Sequence, residues 1–183
     1  MNRTILLFCL LMPLATVADE AAWAAWRAGE AALLMRHALA PGTGDPAGFV
    51  LEDCSTQRNL NARGKQQARD WGQLLAKQHS GSVQLFSSQW CRCLETAELM
   101  AIAEVQPLPI INSFFAGRGD GPTQTQALRH FLQTAPQQSP IVLITHQVNI
   151  TALTGISPAS GEGILLSLPL TEPVQVLARI RMD

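Results

Sequence analysis

Short, unbroken apolar runs recur along the chain, each ending in polar or cationic residues and separated by stretches with helical spacing. AALLM at 31–35 ends at Arg36-His37, and IVLI at 141–144 ends at Thr145-His146. Runs without a polar interruption suit strands covered on both faces. Further strands are read at 83–86, 108–111, 164–168 and 174–180. Between them, Ala68, Trp71, Leu74 and Leu75 form one face of a helix that starts from an Asn61 cap and runs to about Gln78. The same reading predicts helices over 19–29, 92–103 and 122–134, and a short one from Asn149. Residues 38–60, rich in Gly, Pro and Asp, make a long loop. Such β-α-β alternation predicts one α/β domain, a three-layer α/β/α sandwich around a mostly parallel central sheet.

The first eighteen residues differ from the rest. Met1-Asn2-Arg3 is a short cationic start, residues 5–14 are almost wholly apolar, and Thr16-Val17-Ala18 places small residues before a cut after Ala18. That layout predicts a signal peptide over 1–18 and a domain over 19–183, located in the periplasm or secreted. A retained membrane anchor is the competing reading, although the apolar run is short for a bilayer, and no later segment spans one. The 183 residues are 47% hydrophobic and 15% charged, with a formal net charge of −1. These values exclude a disordered chain and a nucleic-acid binder that works through bulk positive charge. Loss of the leader removes Cys9 and leaves Cys54, Cys91 and Cys93, enough for one disulfide and one free thiol in an oxidising compartment. A zinc site is not expected, because CRC at 91–93 lacks the C-x2-4-C spacing.

Ligands of open α/β sheets bind where the carboxyl ends of the strands meet the following loops. Here three strand ends lead into Arg36-His37, Cys91-Arg92-Cys93 and His146. Two arginines and two histidines at one sheet edge make an anion site, because guanidinium forks match phosphate oxygens and stay charged. The helix opening near Arg92 adds N–H groups and a dipole of the right sign. A histidine among arginines is expected to titrate low, and its neutral lone pair is what attack on phosphorus requires.

Four segments resemble the histidine phosphatases, the phosphoglycerate-mutase-like superfamily. LLMRHA at 33–38 is similar to the strand-RHG signature, and LNARGKQQA at 60–68 to the LTxxGxxQA helix start. SSQWCRCLETAELM at 87–100 is similar to the SxxxRCxxTA segment, and ITHQVNI at 144–150 to the strand-His element. The resemblance implies that His37 attacks the phosphoryl group and becomes a phosphohistidine that water hydrolyses. It implies that Arg36, Arg92 and His146 hold the phosphoryl oxygens, with no metal or other cofactor. Ala38 replaces the usual Gly. Ser113 stands where one branch has its proton-donating Glu, and Gln147 where the other has its Asp. The remaining candidate acids are Glu162, in SGEG before a strand, and Asp120, in GRGDG; Glu162 is preferred as lying at the active-site edge. The family commonly has Cys at the position of Cys93, which leaves Cys54 and Cys91 as the expected disulfide.

Other residues stay open or are set aside. Arg58 is read either as a substrate ligand or as a surface cation, and His79 and His130 as surface or packing residues. GTGDPAG at 42–48 lacks the GK[ST] of a P-loop and reads as a lid or connector. Asn149-Ile150-Thr151 is a formal glycosylation sequon, for which a helix cap is the preferred reading. A redox role for CRC is disfavoured by the lack of C-x-x-C. The resulting expectation is a metal-independent, histidine-acid-phosphatase-like phosphomonoesterase acting on a small-molecule or glycolipid phosphate ester. The chain is also similar to periplasmic members such as the lipopolysaccharide core heptose phosphate phosphatases, which implies a sugar phosphate of the cell envelope. The alternative is a catalytically weak phosphate-ester-binding protein of the same fold.

Overall fold

The structure, a computed structural model, describes residues 14–136 and 138–182. Most of the leader expected over 1–18 therefore lies outside the described residues. Among the described residues six strands are formed: β1 (Ala31–Arg36), β2 (Gln84–Ser87), β3 (Val105–Pro107), β4 (Ile141–Thr145), β5 (Gly163–Ser167) and β6 (Val176–Ile180). Five α-helices accompany them: α1 (Leu14–Arg27), α2 (Ala62–Gln78), α3 (Cys91–Met100), α4 (Gly121–Thr134) and α5 (Gln147–Thr154).

The strands make one sheet in the order β3-β2-β4-β1-β5-β6. The pairings β3/β2, β2/β4 and β4/β1 are parallel, whereas β5 and β6 add an antiparallel edge. Covering both faces explains the apolar runs. Leu33 and Met35 of β1 pack with Trp23, Trp26, Trp71, Leu75 and Ala97 from α1, α2 and α3. The alternate residues Ala32 and Leu34 pack with Leu128, Leu132, Ile150 and Leu153 from α4 and α5. The result is the expected three-layer α/β/α sandwich. Two buried indoles tie layers to the sheet through their polar ends: Trp26 Nε1 donates to the Ile141 carbonyl at 3.0 Å and Trp71 Nε1 to that of Gly161 at 2.8 Å.

The element boundaries follow local chemistry. Asn61 caps α2 by accepting from the Gly64 amide at 2.8 Å. Gly64 is needed there because a Cβ at that position would lie 2.1 Å from the Leu39 carbonyl oxygen. Two expectations are corrected. The third strand lies at Val105–Pro107, and Pro109–Ile111 instead form a single 3-10 turn; Pro107 and Pro109 cannot donate to a strand ladder, so the pairing ends at an edge. Asn149 is inside α5 and does not cap it; His146 holds the cap position. With Asn149 buried and its amide donating to the Asn112 carbonyl at 2.9 Å, the sequon is not presented at the surface.

Candidate active site

The three strands whose carboxyl ends carry the chemistry are adjacent and parallel, in the order β2-β4-β1. Their ends therefore bring Arg36 and His37, Ser88 and Arg92, and His146 to one edge of the sheet. Backbone bonds lock the registers: His37 N–H donates to Thr145 O at 2.9 Å and Ser88 N–H to Ile144 O at 2.9 Å. A cleft of about 110 Å³ opens there, lined among others by Arg36, His37, Arg58, Arg92 and His146. Its wall also includes Gln147 and Val148, in the first turn of α5, where backbone N–H groups have no intrahelical acceptor and the helix dipole is positive.

The hydrogen bonds determine the histidine tautomers. His37 Nδ1 lies 2.8 Å from the Ala38 carbonyl, which only accepts, so Nδ1 carries the proton. Arg92 Nε–H donates to His37 Nε2 at 3.1 Å, so that nitrogen holds the lone pair. His146 is oriented the other way round: Nδ1 accepts a long 3.4 Å bond from Arg92 Nη2, and Nε2 donates to Ser88 Oγ at 2.8 Å. Burial, and then the Arg92 charge, hold His37 well below the usual imidazole range. Burial, and then the neighbouring His37 and Arg92, do the same to His146. Both rings are therefore neutral at physiological pH, and His37 Nε2 keeps an unprotonated lone pair, bonded by Arg92 Nε–H, among cations.

The arginines line the same cleft. Arg36 Nη1 donates to the Pro158 carbonyl at 3.0 Å, while its buried Nε has no hydrogen-bond partner among the described residues. A buried donor of this kind at an anion cleft is one that a phosphoryl oxygen can satisfy. Arg58, left open by its sequence, lines the cleft; its Nε donates to Gly44 O at 2.9 Å and its Nη1 to Ala40 O. The disulfide Cys54–Cys91 ties the 38–60 loop to the start of α3, beside Arg92. Cys93 is a buried free thiol, and burial pushes its pKa up to about 12, which leaves it protonated and inert.

Neither candidate acid reaches the cleft. Glu162 is buried, with its carboxylate bound by the Ala159 amide at 2.8 Å, Arg179 Nε at 2.7 Å and Arg181 Nε at 3.2 Å. Burial alone raises its pKa, but these three partners outweigh that and the net shift is downward. It organises the 158–162 turn that receives Arg36, and it donates no proton to the cleft. Asp120 caps α4, accepting from Thr123 N at 3.1 Å and Thr123 Oγ1 at 2.7 Å on the surface. An Asp directly before Gly121-Pro122 has the signature of a cap, and that role takes its carboxylate. Ser113 and Gln147 do line the cleft. Among the described residues, those lining the cleft include no carboxylate.

Sequence reasoning missed Asp45. This residue of GTGDPAG pairs with Arg92, Oδ1 to Nη1 at 2.7 Å, with both side chains 4% exposed. It also accepts from Trp90 Nε1 at 3.1 Å and from the Arg58 amide at 3.2 Å. The only available signal was an acidic residue in the long loop that follows the strand ending in Arg36-His37. Ser88 and Asn112, which steady His146 through a 3.1 Å bond from Ser88 Oγ to Asn112 Oδ1, were also missed, since short polar residues in loops carry no mark of such a role.

The sequence matches the family model of the histidine phosphatase superfamily (branch 1) over residues 33–140, which contain His37 and Arg92. The chain belongs to this superfamily. None of the curated proteins matches. Among solved structures, the fold is similar to a protein described as the phosphohistidine phosphatase SixA from Agrobacterium tumefaciens, with a TM-score of 0.57 at 13% identity over 85% of this chain and 99% of that one. It is similar to a mycobacterial glucosyl-3-phosphoglycerate phosphatase, with a TM-score of 0.55 at 14% identity over 75% and 90%. A phosphoserine phosphatase from Entamoeba histolytica gives 0.57 at 13% over 84% and 98%. At these identities the likeness is one of fold. As a histidine phosphatase, the protein is a phosphatase whose substrates are phosphate esters. Among the described residues, no helix is long and apolar enough to cross a membrane.

Proposed function

We propose that this histidine phosphatase is a metal-independent phosphomonoester hydrolase working through a phosphohistidine on His37. The observation that carries the reading is the unprotonated Nε2 of a neutral, buried His37, which accepts from Arg92 Nε–H in a cleft that Arg36 and Arg58 also line. In the first step the Nε2 lone pair forms the N–P bond as the P–O bond to the leaving group breaks. The departing oxygen takes its proton from water, since no carboxyl group lines the cleft among the described residues. Water then attacks phosphorus, the N–P bond breaks back to Nε2, and phosphate leaves. The arginines and the α5 N-terminus stabilise charge on the equatorial oxygens in both steps. A nucleophile kept neutral far below its ordinary pKa supports activity on the acid side, of the histidine-acid-phosphatase kind.

The physiological substrate we propose is a sugar phosphate of the cell envelope, met after export to the periplasm by the leader at 1–18. The leader-like sequence and the resemblance to periplasmic phosphatases support this. A catalytically weak phosphate-ester-binding protein is the second reading, favoured by the missing lining carboxylate. One experiment separates the two. Purified protein is mixed with an aryl phosphate in chelator, quenched in alkali, and assayed for a phosphoenzyme that is acid-labile and base-stable, beside His37→Ala. Chelator-resistant turnover with such an intermediate, absent from His37→Ala, supports hydrolysis. Phosphate binding without turnover supports the binder.

A further inference from the structure

We propose that Asp45 is a positioning residue of the phosphoryl site: it aims the Arg92 fork and offsets one of the three guanidinium charges, so that product phosphate is released. The inference rests on the phosphatase reading above. Arg92 spends its three donor directions on three partners: Nη1 on Asp45 at 2.7 Å, Nε on His37 Nε2 at 3.1 Å and Nη2 on His146 Nδ1 at 3.4 Å. A guanidinium is planar and its donors are rigidly related. Pinning Nη1 therefore fixes where the Nε and Nη2 edge faces, and that edge faces the two histidines of the cleft. Asp45 is itself held from two more sides, by Trp90 Nε1 and by the Arg58 amide. The loop that carries it is closed by the Cys54–Cys91 bond and by Arg58 Nε on Gly44 O.

The charge count supports the second part. Arg36, Arg58 and Arg92 bring three positive charges to the cleft, and the two histidines are neutral there. With Asp45 behind Arg92 the cluster carries a net two, which equals the charge of a monoester or product dianion. Binding that is stronger for the product than the transition state needs slows turnover, because only differential stabilisation accelerates it. A buried carboxylate on the far side of Arg92 weakens the ground-state hold on the dianion while preserving the geometry of the fork.

The test uses Asp45→Asn, nearly the same shape but with one acceptor oxygen that serves either Trp90 Nε1 or the Arg92 and Arg58 donors, and Asp45→Glu, which restores the charge on a longer arm. Inorganic phosphate affinity is measured by titration calorimetry, and kcat and KM are measured on an aryl phosphate. Asp45→Asn is expected to bind phosphate on the order of tenfold tighter and to lose on the order of tenfold or more in kcat with KM unchanged or lower. Asp45→Glu is expected to return phosphate affinity to within about twofold of wild type while kcat stays low. Phosphate affinity and kcat of Asp45→Asn both unchanged per folded molecule, with only thermal stability reduced, overturn the proposal. So does phosphate binding that weakens. If Asp45→Asn does not fold, Asp45→Glu decides alone, wild-type kcat refuting the aiming role. Absence of turnover in the wild type defeats the hydrolase reading instead, and the phosphate titration still decides the charge role of Asp45.

Discussion

Lowering the pH from 7.5 to 5.5 is expected to destabilise the ligand-free protein through the two buried histidines of the cleft. His37 is 2% exposed and His146 is 3% exposed. Burial, with Arg92 next for His37 and with His37 and then Arg92 for His146, holds both well below their ordinary range. The folded protein therefore keeps both rings neutral in a range where the unfolded chain, with imidazoles near their ordinary pKa of about 6.5, takes up protons. Protons bound only by the unfolded state favour unfolding, so stability present above pH 6.5 is lost as the pH falls below it. Each ring contributes about 1.4 kcal/mol of loss by pH 5.5, or roughly 2.7 kcal/mol for both. That is a large part of the ~5–15 kcal/mol by which domains are stable. The pKa values of Asp45 and Glu162 are lowered, so stability tied to their ionisation is lost only below about pH 5, as the unfolded carboxyls take up protons. The assay is urea unfolding followed by tryptophan fluorescence at pH 7.5, 6.5 and 5.5, in phosphate-free buffer with the disulfide intact. A His37→Asn/His146→Asn double variant is expected to lose most of the pH dependence. Equal slopes for wild type and double variant would refute the assignment of two neutral, buried imidazoles.

Three further outcomes follow from the geometry. Glu162→Gln is expected to lower stability by about 1–3 kcal/mol, because a buried acceptor of two arginines is weakened; the pH profile of kcat should stay unchanged, and a lost limb in that profile would restore Glu162 as the acid. Reduction of Cys54–Cys91, which closes a loop of 37 residues, is expected to cost about 3–4 kcal/mol in chemical unfolding and to lower kcat/KM by loosening the segment that carries Asp45 and Arg58. Gly64→Ala places a Cβ 2.1 Å from the Leu39 carbonyl, so α2 must shift; a loss of about 2–3 kcal/mol is expected in thermal unfolding, and wild-type stability would show that the contact relaxes freely.

How much of this was legible in the sequence depended on how local each cause is. The apolar runs of β1 and β4, the Asn61 cap and the Arg36, His37, Arg92 and His146 positions are properties of a few neighbouring residues. Burial on both faces leaves a run without polar residues, and a strand followed directly by a cation marks a sheet edge, so these were readable without coordinates. Arg58 could not be placed in this way, because whether a loop cation faces a cleft depends on how twenty residues of loop fold back. The acids show the same limit more sharply. Glu162 and Asp120 both read as loop carboxylates, Glu162 preferred for its place at the sheet edge, yet Arg179 and Arg181 on one side and the α4 N-terminus on the other had claimed them. Asp45 sat in a segment of turn-forming residues and was read as part of a connector. The chain between Asp45 and Arg92 passes through a disulfide, a helix and a strand before the two side chains meet. Local propensity and periodicity thus determined the layers and the strand ends that carry Arg36, His37 and His146. Which carboxylate serves the site was decided by ion pairing between distant segments, an interaction that exists only once the sheet has brought them together.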